Sequence, residues 1–237
     1  MSSALKTTVA AAVVAVGGAA CAPAAVTPAA VVPSAVAPAA VVVPSTAVPP
    51  TTRPTPSQQA ARLTVGGAEP ALGLTVELPP DWQPFDYGAD IGTSGPPAGM
   101  AFVVSLVDNT FADPCSHRQR SPKVGPTAAD LAKALGEIPG TTATAPVQTT
   151  IAGHQATYME IAIPASLPCA PSEFYLWQDS PGAYWWVQGL NETARVWILE
   201  VAGQRVVLLT HSYAGSGADA KAEFQKILDS IVFDSGS

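Results

Sequence analysis

The sequence predicts an α+β domain over residues 61–237, built on a mostly antiparallel sheet with helices packed on it. Short β-branched or aromatic stretches bounded by Gly and Pro recur along this part of the chain. Two such stretches adjoin across a tight turn, which indicates a hairpin. Two other segments carry helix start signals, one in the middle of the domain and one near its end, and this order of elements is typical of α+β proteins.

The strand predictions follow from the apolar and aromatic runs. Single runs predict strands at residues 73–78, 101–107, 155–163, 173–177 and 183–188. The hairpin is predicted from residues 195–201 and 204–211, because Ala202 and Gly203 form a two-residue connection between two apolar runs.

Two helices are predicted from their first residues. Thr127 and Ser216 are each followed three positions later by an acid, Asp130 or Asp219, which is close to a capping box. The apolar positions after each signal recur at helical spacing, so one face of each helix is expected to pack on the sheet. These positions are Leu131, Ala134 and Leu135 in the first helix, and Phe224, Ile227, Leu228 and Ile231 in the second.

The first 20 residues have the layout of a secretory signal peptide. Lys6 precedes an apolar run of 14 residues at positions 7–20, which ends in small residues. A membrane-spanning helix needs about 20 apolar residues. Gly17 and Gly18 also interrupt the run, so a cleaved signal is favoured over a retained anchor helix.

Cys21 is the predicted lipidation site. The segment Gly18-Ala19-Ala20-Cys21 resembles the bacterial lipobox, in which the cysteine receives a diacylglycerol and the chain becomes an acylated, for example palmitate-bearing, lipoprotein. The chain has three cysteines, so a bond between Cys115 and Cys169 in an oxidising compartment leaves Cys21 for this use. The alternative is cleavage at the same bond without lipidation, which would give a freely secreted protein.

Residues 21–60 are predicted to form a disordered spacer after the lipidated cysteine. Residues 22–60 contain nine prolines and a single charge, Arg53. Interior prolines remove helix hydrogen bonds and clash with the preceding turn, so no helix forms at this spacing. A semi-rigid, partly polyproline-like segment is expected.

The charge of the domain limits its partners. From Arg62 onward there are 9 Lys and Arg and 18 Asp and Glu, which gives a formal charge of 9 minus 18, or −9. Such a domain repels a phosphate backbone. Nucleic acid and anionic lipid headgroups are therefore excluded as partners, and contact with the membrane is expected only through the lipid anchor.

Several short motifs resemble known families. Residues 74–82, a strand leading into Pro-Pro-Asp-Trp, resemble the opening of PsbP-like domains, and residues 230–233 resemble their end. The Asp113-Pro114-Cys115 element, Cys169 and the hairpin at residues 195–207 resemble actinobacterial cell-envelope lipoproteins of the Lpq type. The resemblance covers roughly residues 70–235. It implies an α/β/α sandwich, an envelope address and no known enzymatic activity, and it transfers no catalytic residue.

No catalytic, metal or cofactor site is predicted. Cys115 and His117 are too few ligands for a closed metal site, and a disulfide between Cys115 and Cys169 is the favoured use of the thiol. Ser216 lacks a G-x-S-x-G elbow and already has a predicted role as a helix cap. The histidines share no spacing, and no pair of acids is singled out by the chain order. The histidines are His117, His154 and His211.

An aromatic cluster is the candidate binding feature. Four of the five tryptophans lie within 21 positions, at residues 177–197. Adjacent residues of a strand face opposite sides, so Trp185 and Trp186 cannot both enter one core. The alternative is that the cluster consists of ordinary core and edge aromatics. The candidate ligand-binding residues are Trp177, Tyr184, Trp185 and Trp186.

These observations favour a cell-envelope lipoprotein with a non-enzymatic binding domain on the extracytoplasmic face of the membrane. The partners considered are an envelope protein, a glycan or an apolar ligand. Two alternatives stay open: a secreted hydrolase whose site has no sequence signature, and a purely structural envelope protein.

The predicted anchor can be tested by a single substitution. If Cys21 is lipidated, Cys21→Ala moves the protein from the detergent phase to the aqueous phase in a detergent partition, because the acyl chains supply the membrane affinity. The wild-type protein is the control. Unchanged partitioning would contradict lipidation.

Overall fold

The structure is a computed structural model and describes residues 58–65, 72–91, 98–179 and 182–234. The predicted signal peptide, Cys21 and residues 22–57 of the predicted spacer lie outside these ranges. The first described strand begins at Gln59, two residues before the predicted start of the domain.

The first half of the domain consists mainly of strands. In chain order they are β1 (Gln59–Thr64), β2 (Gly73–Leu78), β3 (Trp82–Phe85), β4 (Gly88–Ile91), β5 (Met100–Ser105), β6 (Val107–Asp113) and β7 (Arg118–Gln119). Helix α1 (Ala128–Gly136) follows β7.

The second half contains the longest strands. They are β8 (Thr142–Ala143), β9 (Val147–Ile151), β10 (His154–Ala162), β11 (Tyr175–Asp179), β12 (Tyr184–Trp186), β13 (Thr193–Val201) and β14 (Gln204–Ser212). A 3-10 turn, Pro171–Glu173, precedes β11. Helix α2 (Ala218–Ser230) and the short β15 (Val232–Phe233) end the described chain.

The strands form three sheets in which every pairing among the described residues is antiparallel. The central sheet has the order β3-β4-β5-β14-β13-β10-β8, with β9 also paired to β10. A three-stranded sheet has the order β1-β2-β15, and a four-stranded sheet has the order β12-β11-β6-β7.

The predicted hairpin is confirmed and forms the middle of the central sheet. Strands β13 and β14 pair along their whole length, from Thr193 opposite Ser212 to Val201 opposite Gln204. Ala202 and Gly203 both have positive φ, at 51° and 75°. Two such residues in succession make the turn whose twist suits a two-residue hairpin.

Both faces of the central sheet are buried, so the domain has two cores. On one face, Phe102 and Leu208 pack with Phe224 of α2 and with residues of the three-stranded sheet. On the other face, residues one position along each strand, such as Val103 and Leu209, pack with α1 and the inner side of the four-stranded sheet. Alternation along β5 and β14 supplies both cores, because successive side chains point to opposite faces.

The predicted α+β class with a mostly antiparallel sheet is therefore confirmed, but the expected α/β/α sandwich is not the best description. Each face of the central sheet carries a single helix, and a small sheet covers the rest of that face. The covering layers are strand-dominated because they consist largely of two small sheets that pack onto the central sheet. These sheets contain strands β1, β2, β6, β11 and β12.

The two helix starts have different outcomes. The Thr127 hydroxyl accepts the Asp130 N–H at 3.1 Å, and the Asp130 carboxylate accepts the Thr127 N–H at 3.1 Å, so the predicted capping box of α1 is confirmed. The predicted Ser216 cap of α2 is wrong. Gly217 is the N-cap and makes no side-chain cap bond, because the Ser216 hydroxyl donates instead to the carbonyl of Gly99.

Cys115 and Cys169 form a disulfide, with their Cα atoms 5.9 Å apart. The bond joins the turn after β6 to the segment that leads into β11, and so it closes a loop between residues 54 positions apart. Within the described part of the chain, no helix is long and apolar enough to cross a membrane.

The disulfide has a testable effect on stability. Closing a loop of this length removes entropy from the unfolded chain worth about 4 kcal/mol in the chain-entropy model. We expect the double variant Cys115→Ser, Cys169→Ser to lose up to this amount of unfolding free energy in urea melts. A peptide map of the unreduced wild type should contain the cross-linked pair. Two thiols that react with alkylating agent under native, non-reducing conditions would refute the bond.

Candidate ligand-binding surface

The outer side of the four-stranded sheet carries a group of exposed aromatic rings, which we call the aromatic platform: Tyr175, Tyr184 and Trp186. Tyr184 is 46% exposed and Trp186 is 40% exposed, while Tyr175 is half-buried between them. The ring of Tyr175 lies 5.5 Å from that of Tyr184 and 6.4 Å from that of Trp186. The three rings therefore form one continuous patch.

The platform rests on a buried ring. Phe111 of β6 is fully buried, and its ring centre lies 5.8 Å from Tyr175 and 5.9 Å from Tyr184. Phe111 belongs to neither of the two main core clusters. Its contacts with the platform rings fix them from below, so the surface is supported by packing.

The inner side of the same sheet carries the other two predicted residues. Trp177 and Trp185 are opposite each other on β11 and β12, and their rings stack at 6.2 Å with an interplanar angle of 14°. Trp177 is fully buried and Trp185 packs against the same core. Trp177 is therefore buried away from the surface, Trp185 is half-buried, and Tyr184 and Trp186 are accessible, while ligand binding by these residues stays a prediction.

A β-bulge in β11 places Tyr175 and Trp177 on opposite sides of the four-stranded sheet. Tyr175 and Trp177 are two positions apart and would share a face of a regular strand. The pairing register shifts between them, so Leu176 and Trp177 are both buried while Tyr175 stays on the outside. Such an extra residue re-aims the side chains that follow it. The bulge has no signature in the sequence, but the prediction that Trp185 and Trp186 point to opposite sides is confirmed.

Side-chain amides border the platform. Gln178 lies opposite Tyr184 across the strand pair and accepts a hydrogen bond from the Gln119 amide. The Gln188 amide donates to the carbonyl of Trp186 at 3.0 Å. A glutamine offers two donors and one acceptor oxygen, so these bonds use only part of its capacity. The remaining capacity is available to a ligand lying on the rings.

The disulfide holds the edge of the platform. The Tyr175 N–H donates to the carbonyl of Pro114 at 3.4 Å, next to Cys115. His117 follows in the same turn, and its ring meets that of Tyr175 edge to face at 4.1 Å. Tyr175 is therefore fixed by the turn that the disulfide ties down.

A polar cleft begins where the platform ends. It has a volume of about 410 Å³ and shares Gln119 with the amide border. Arg120 in its wall pairs with Glu137 at 2.8 Å, and Arg118 lines the same cleft as a second, exposed cation. A cleft of this size lies within the usual range for small-ligand sites. Its lining residues include Arg118, Gln119, Arg120, Ser121 and Glu137.

A buried polar group lies behind the platform. The Glu192 carboxylate is 1% exposed and accepts the backbone N–H groups of Gln188 and Gly189, at 2.9 and 3.0 Å. Its second oxygen lies 3.7 Å from Nδ1 of His211, which is 4% exposed. Burial raises the pKa of Glu192 to about 7 and lowers the pKa of His211 to about 4. Sequence analysis gave these two residues no role.

The chain resembles known proteins only distantly. No protein family and no characterised protein sequence matches it. It is similar to the solution structure of cyanobacterial PsbP (CyanoP) from Synechocystis sp. PCC 6803, at 12% identity over 73% of this chain and 91% of that chain, with a TM-score of 0.34. A crystal structure from Bacteroides thetaiotaomicron VPI-5482 is similar at 9% identity over 68% of this chain and 45% of that chain, with a TM-score of 0.31. Neither similarity assigns a function.

The structure also places the residues that were considered for metal binding or catalysis. Cys115 is in the disulfide and therefore holds no metal. In the described ranges, no group of three or more His, Cys, Asp or Glu side chains is placed to bind a metal ion. The Ser216 hydroxyl donates a hydrogen bond to the carbonyl of Gly99.

The division of the tryptophans predicts a contrast in stability. We expect Trp186→Ala to change the unfolding free energy by less than about 1 kcal/mol, since the ring is already partly in water. Trp177→Ala removes a fully buried ring and should cost about 3–5 kcal/mol. Urea melts of both variants measure the difference, with the wild type as reference. Similar losses at the two positions would show that Trp186 is a core residue.

Proposed function

We propose that this chain is a cell-envelope lipoprotein whose domain is a non-catalytic binding module, and that the aromatic platform holds an uncharged carbohydrate chain. The observation that carries the proposal is the exposure of Tyr184 and Trp186 on one rigid sheet face beside side-chain amides. Lipidation of Cys21 and the proline-rich spacer would place this face outside the membrane and away from its surface.

The rings suit a ligand with alternating apolar and polar surfaces. The face of an aromatic ring is electron-rich and favours contact with C–H groups, which a sugar ring presents on its flat side. The sugar hydroxyls lie around the edge, where amide side chains can both donate and accept. Gln178 lies opposite Tyr184 on the neighbouring strand, and the Gln188 amide bonds to the carbonyl of Trp186, so both border the platform.

The size of the platform argues against a stable protein partner. A large aromatic side chain offers about 150–250 Å² of surface. At the exposures of Tyr184 and Trp186, the two rings together present roughly 200 Å². A specific protein interface needs about 800 Å² from each side. A chain ligand that lies across two rings and continues into the neighbouring cleft requires much less area.

Charge favours a neutral ligand. The polar groups bordering the rings are amides. Of the two arginines that line the cleft, Arg120 is paired with Glu137 and Arg118 lies near Asp113. An anionic chain would meet a domain with twice as many acidic as basic residues. A long acyl chain would need an enclosed apolar cavity, and the cleft beside the platform is lined mainly by polar residues.

Hydrolysis is the less favoured alternative for this surface. A general acid or base must reach the bond it acts on, within hydrogen-bond distance of the substrate. Glu192 is buried, Glu137 in the cleft is paired with Arg120, and the His117 ring at the platform edge bonds to the carbonyl of Glu173. The arrangement fits retention of a ligand without covalent chemistry.

Binding to defined glycans tests the proposal. The probes are soluble oligosaccharides of α-glucan, β-glucan, mannan and chitin type, with polygalacturonate as an anionic comparison. We expect the wild type to bind at least one neutral series, with affinity rising with chain length until the chain spans Tyr184 and Trp186. Trp186→Ala and Tyr184→Ala should each weaken binding at least about tenfold, or ~1.4 kcal/mol, in calorimetric titrations.

Tyr87→Ala is the matched control, because Tyr87 is 47% exposed but lies between β3 and β4, outside the platform. It should bind as the wild type does. An equal loss in Tyr87→Ala, or no binding of any neutral series, would overturn the carbohydrate assignment. Retention of a basic peptide or of a detergent chain instead would favour the protein or apolar ligand.

A further inference from the structure

The segment after β12 is folded back on a single buried side chain. Residues 188–192 form a turn whose last residue, Glu192, returns its carboxylate to the first two backbone N–H groups of the same turn. Trp186 of the platform is separated from this turn by Val187, whose N–H donates to the carbonyl of Phe174 at 3.0 Å. The Gln188 side-chain amide bonds to the carbonyl of Trp186, so the turn closed by Glu192 adds to the fixing of Trp186.

The second oxygen of Glu192 faces a histidine. Oε1 of Glu192 and Nδ1 of His211 are 3.7 Å apart, which is longer than a hydrogen bond, and both atoms are buried without a hydrogen-bond partner among the described residues. A buried polar atom that lacks a partner is costly. If the two side chains approach to hydrogen-bond distance, a single proton between these atoms satisfies both of them.

We propose that Glu192 and His211 share one proton as a neutral pair, and that this pair is the positioning device that holds Trp186 in the platform. In this state Oε1 of Glu192 carries the proton and donates it to Nδ1 of His211, whose own ring proton is on Nε2. Oε2 remains an acceptor for Gln188 and Gly189. Neither side chain is charged, so the turn stays closed without a buried ion.

The two groups have opposite dependences on pH. The folded-state pKa of Glu192 is raised from 4.5 to about 7 by burial, so its contribution to stability is complete below 4.5 and is lost as pH rises through 7. The folded-state pKa of His211 is lowered from 6.5 to about 4 by burial, so its contribution is complete above 6.5 and is lost as pH falls through 4.

The pH dependences of stability that Glu192 and His211 contribute nearly cancel each other. Between about pH 4.5 and 6.5 the unfolded chain has an ionised Glu192 and a protonated His211, and the folded chain has the same number of protons on the neutral pair. Folding only moves the proton from the histidine to the carboxylate. The turn that carries Trp186 is therefore expected to be nearly insensitive to pH over this range.

Two other titratable groups lie near the pair. Tyr213 contacts the His211 ring at 5.8 Å, and burial raises its pKa to about 12, so it stays neutral. Asp179 lies near Trp177 in the Trp177–Trp185 stack, and burial raises its pKa to about 7 against the lowering effects of Ser105 and Trp177. Because Asp179 titrates in the same range as Glu192, the measurements are repeated in an Asp179→Asn background.

The test compares the pH profiles of single and double variants. Glu192→Gln keeps an acceptor for the two N–H groups and a donor for His211, and His211→Gln keeps an acceptor for Glu192. Relative to the wild type, we expect the unfolding equilibrium constant of Glu192→Gln to rise roughly 70-fold as pH falls from 8 to 5. For His211→Gln it should rise roughly 30-fold as pH increases from 5 to 9. The double variant should be nearly flat.

These profiles are measured by urea melts on the whole protein without ligand, so they do not depend on the carbohydrate assignment. Glu200→Gln, an exposed acid on β13, is the control and should follow the wild type. Single variants that both follow the wild-type profile would overturn the shared proton. If a variant fails to fold, NMR of the wild type at pH 5.5 decides, because the proposal requires a protonated Glu192 carboxyl and a neutral His211.

The positioning role rests on the proposed function and has its own measurement. Glu192→Ala should raise amide exchange at Gln188 and Gly189 and weaken binding of the neutral oligosaccharide at least about tenfold, whereas Glu192→Gln at pH 8 should preserve both. Exchange that is unchanged in Glu192→Ala would refute the role of the pair in closing the turn. Changed exchange together with unchanged binding would instead separate the pair from the binding surface.

Discussion

The central sheet is apolar on both faces, and both faces therefore have to be covered. Strands β5, β13 and β14 place side chains alternately into two cores, and neither core can be left in water. Two short helices cover only part of this surface. The remaining area is covered by the strands of the two smaller sheets, which pack across the central sheet. A covering sheet has its own outer side, and on one of these sheets that side carries the aromatic platform.

The parts of this fold that depend on local chemistry could be predicted from the sequence. The β13–β14 hairpin follows from two apolar runs around Ala202 and Gly203, and α1 follows from the capping box at Thr127. Strands β3 and β4 were missed because they are short and contain Pro84 and Gly88, which read as turn residues. The division into three sheets was not predictable, since it depends on contacts between residues far apart in the chain.

The binding surface shows the same limit at the level of single residues. Strand alternation correctly separated Trp185 from Trp186, because only the period of two is needed. Trp177 was grouped with the other candidate rings because they are close in the chain, and the bulge at Leu176 turns Trp177 to the buried side. Ser216 is a similar case, because a distant carbonyl at Gly99 competes for its hydroxyl. Glu192 and His211 are brought together by the β13–β14 hairpin, whose register places His211 opposite Ala194, two residues after Glu192. The sequence predicted this hairpin but carried no sign that the two side chains would be buried together.

A surface that binds through exposed rings has to keep those rings in place without burying them. Burial would fix Trp186 but would remove it from the ligand, so its position must come from the backbone on either side. On the β12 side this is supplied by pairing with β11, and on the other side by the turn that Glu192 closes. An ionised carboxylate could close the same turn, but it would place a buried charge beside His211, whose ring contacts Trp185, and burial disfavours that charge. A neutral pair avoids that cost, and it also makes the turn indifferent to the pH of the medium around an exported protein.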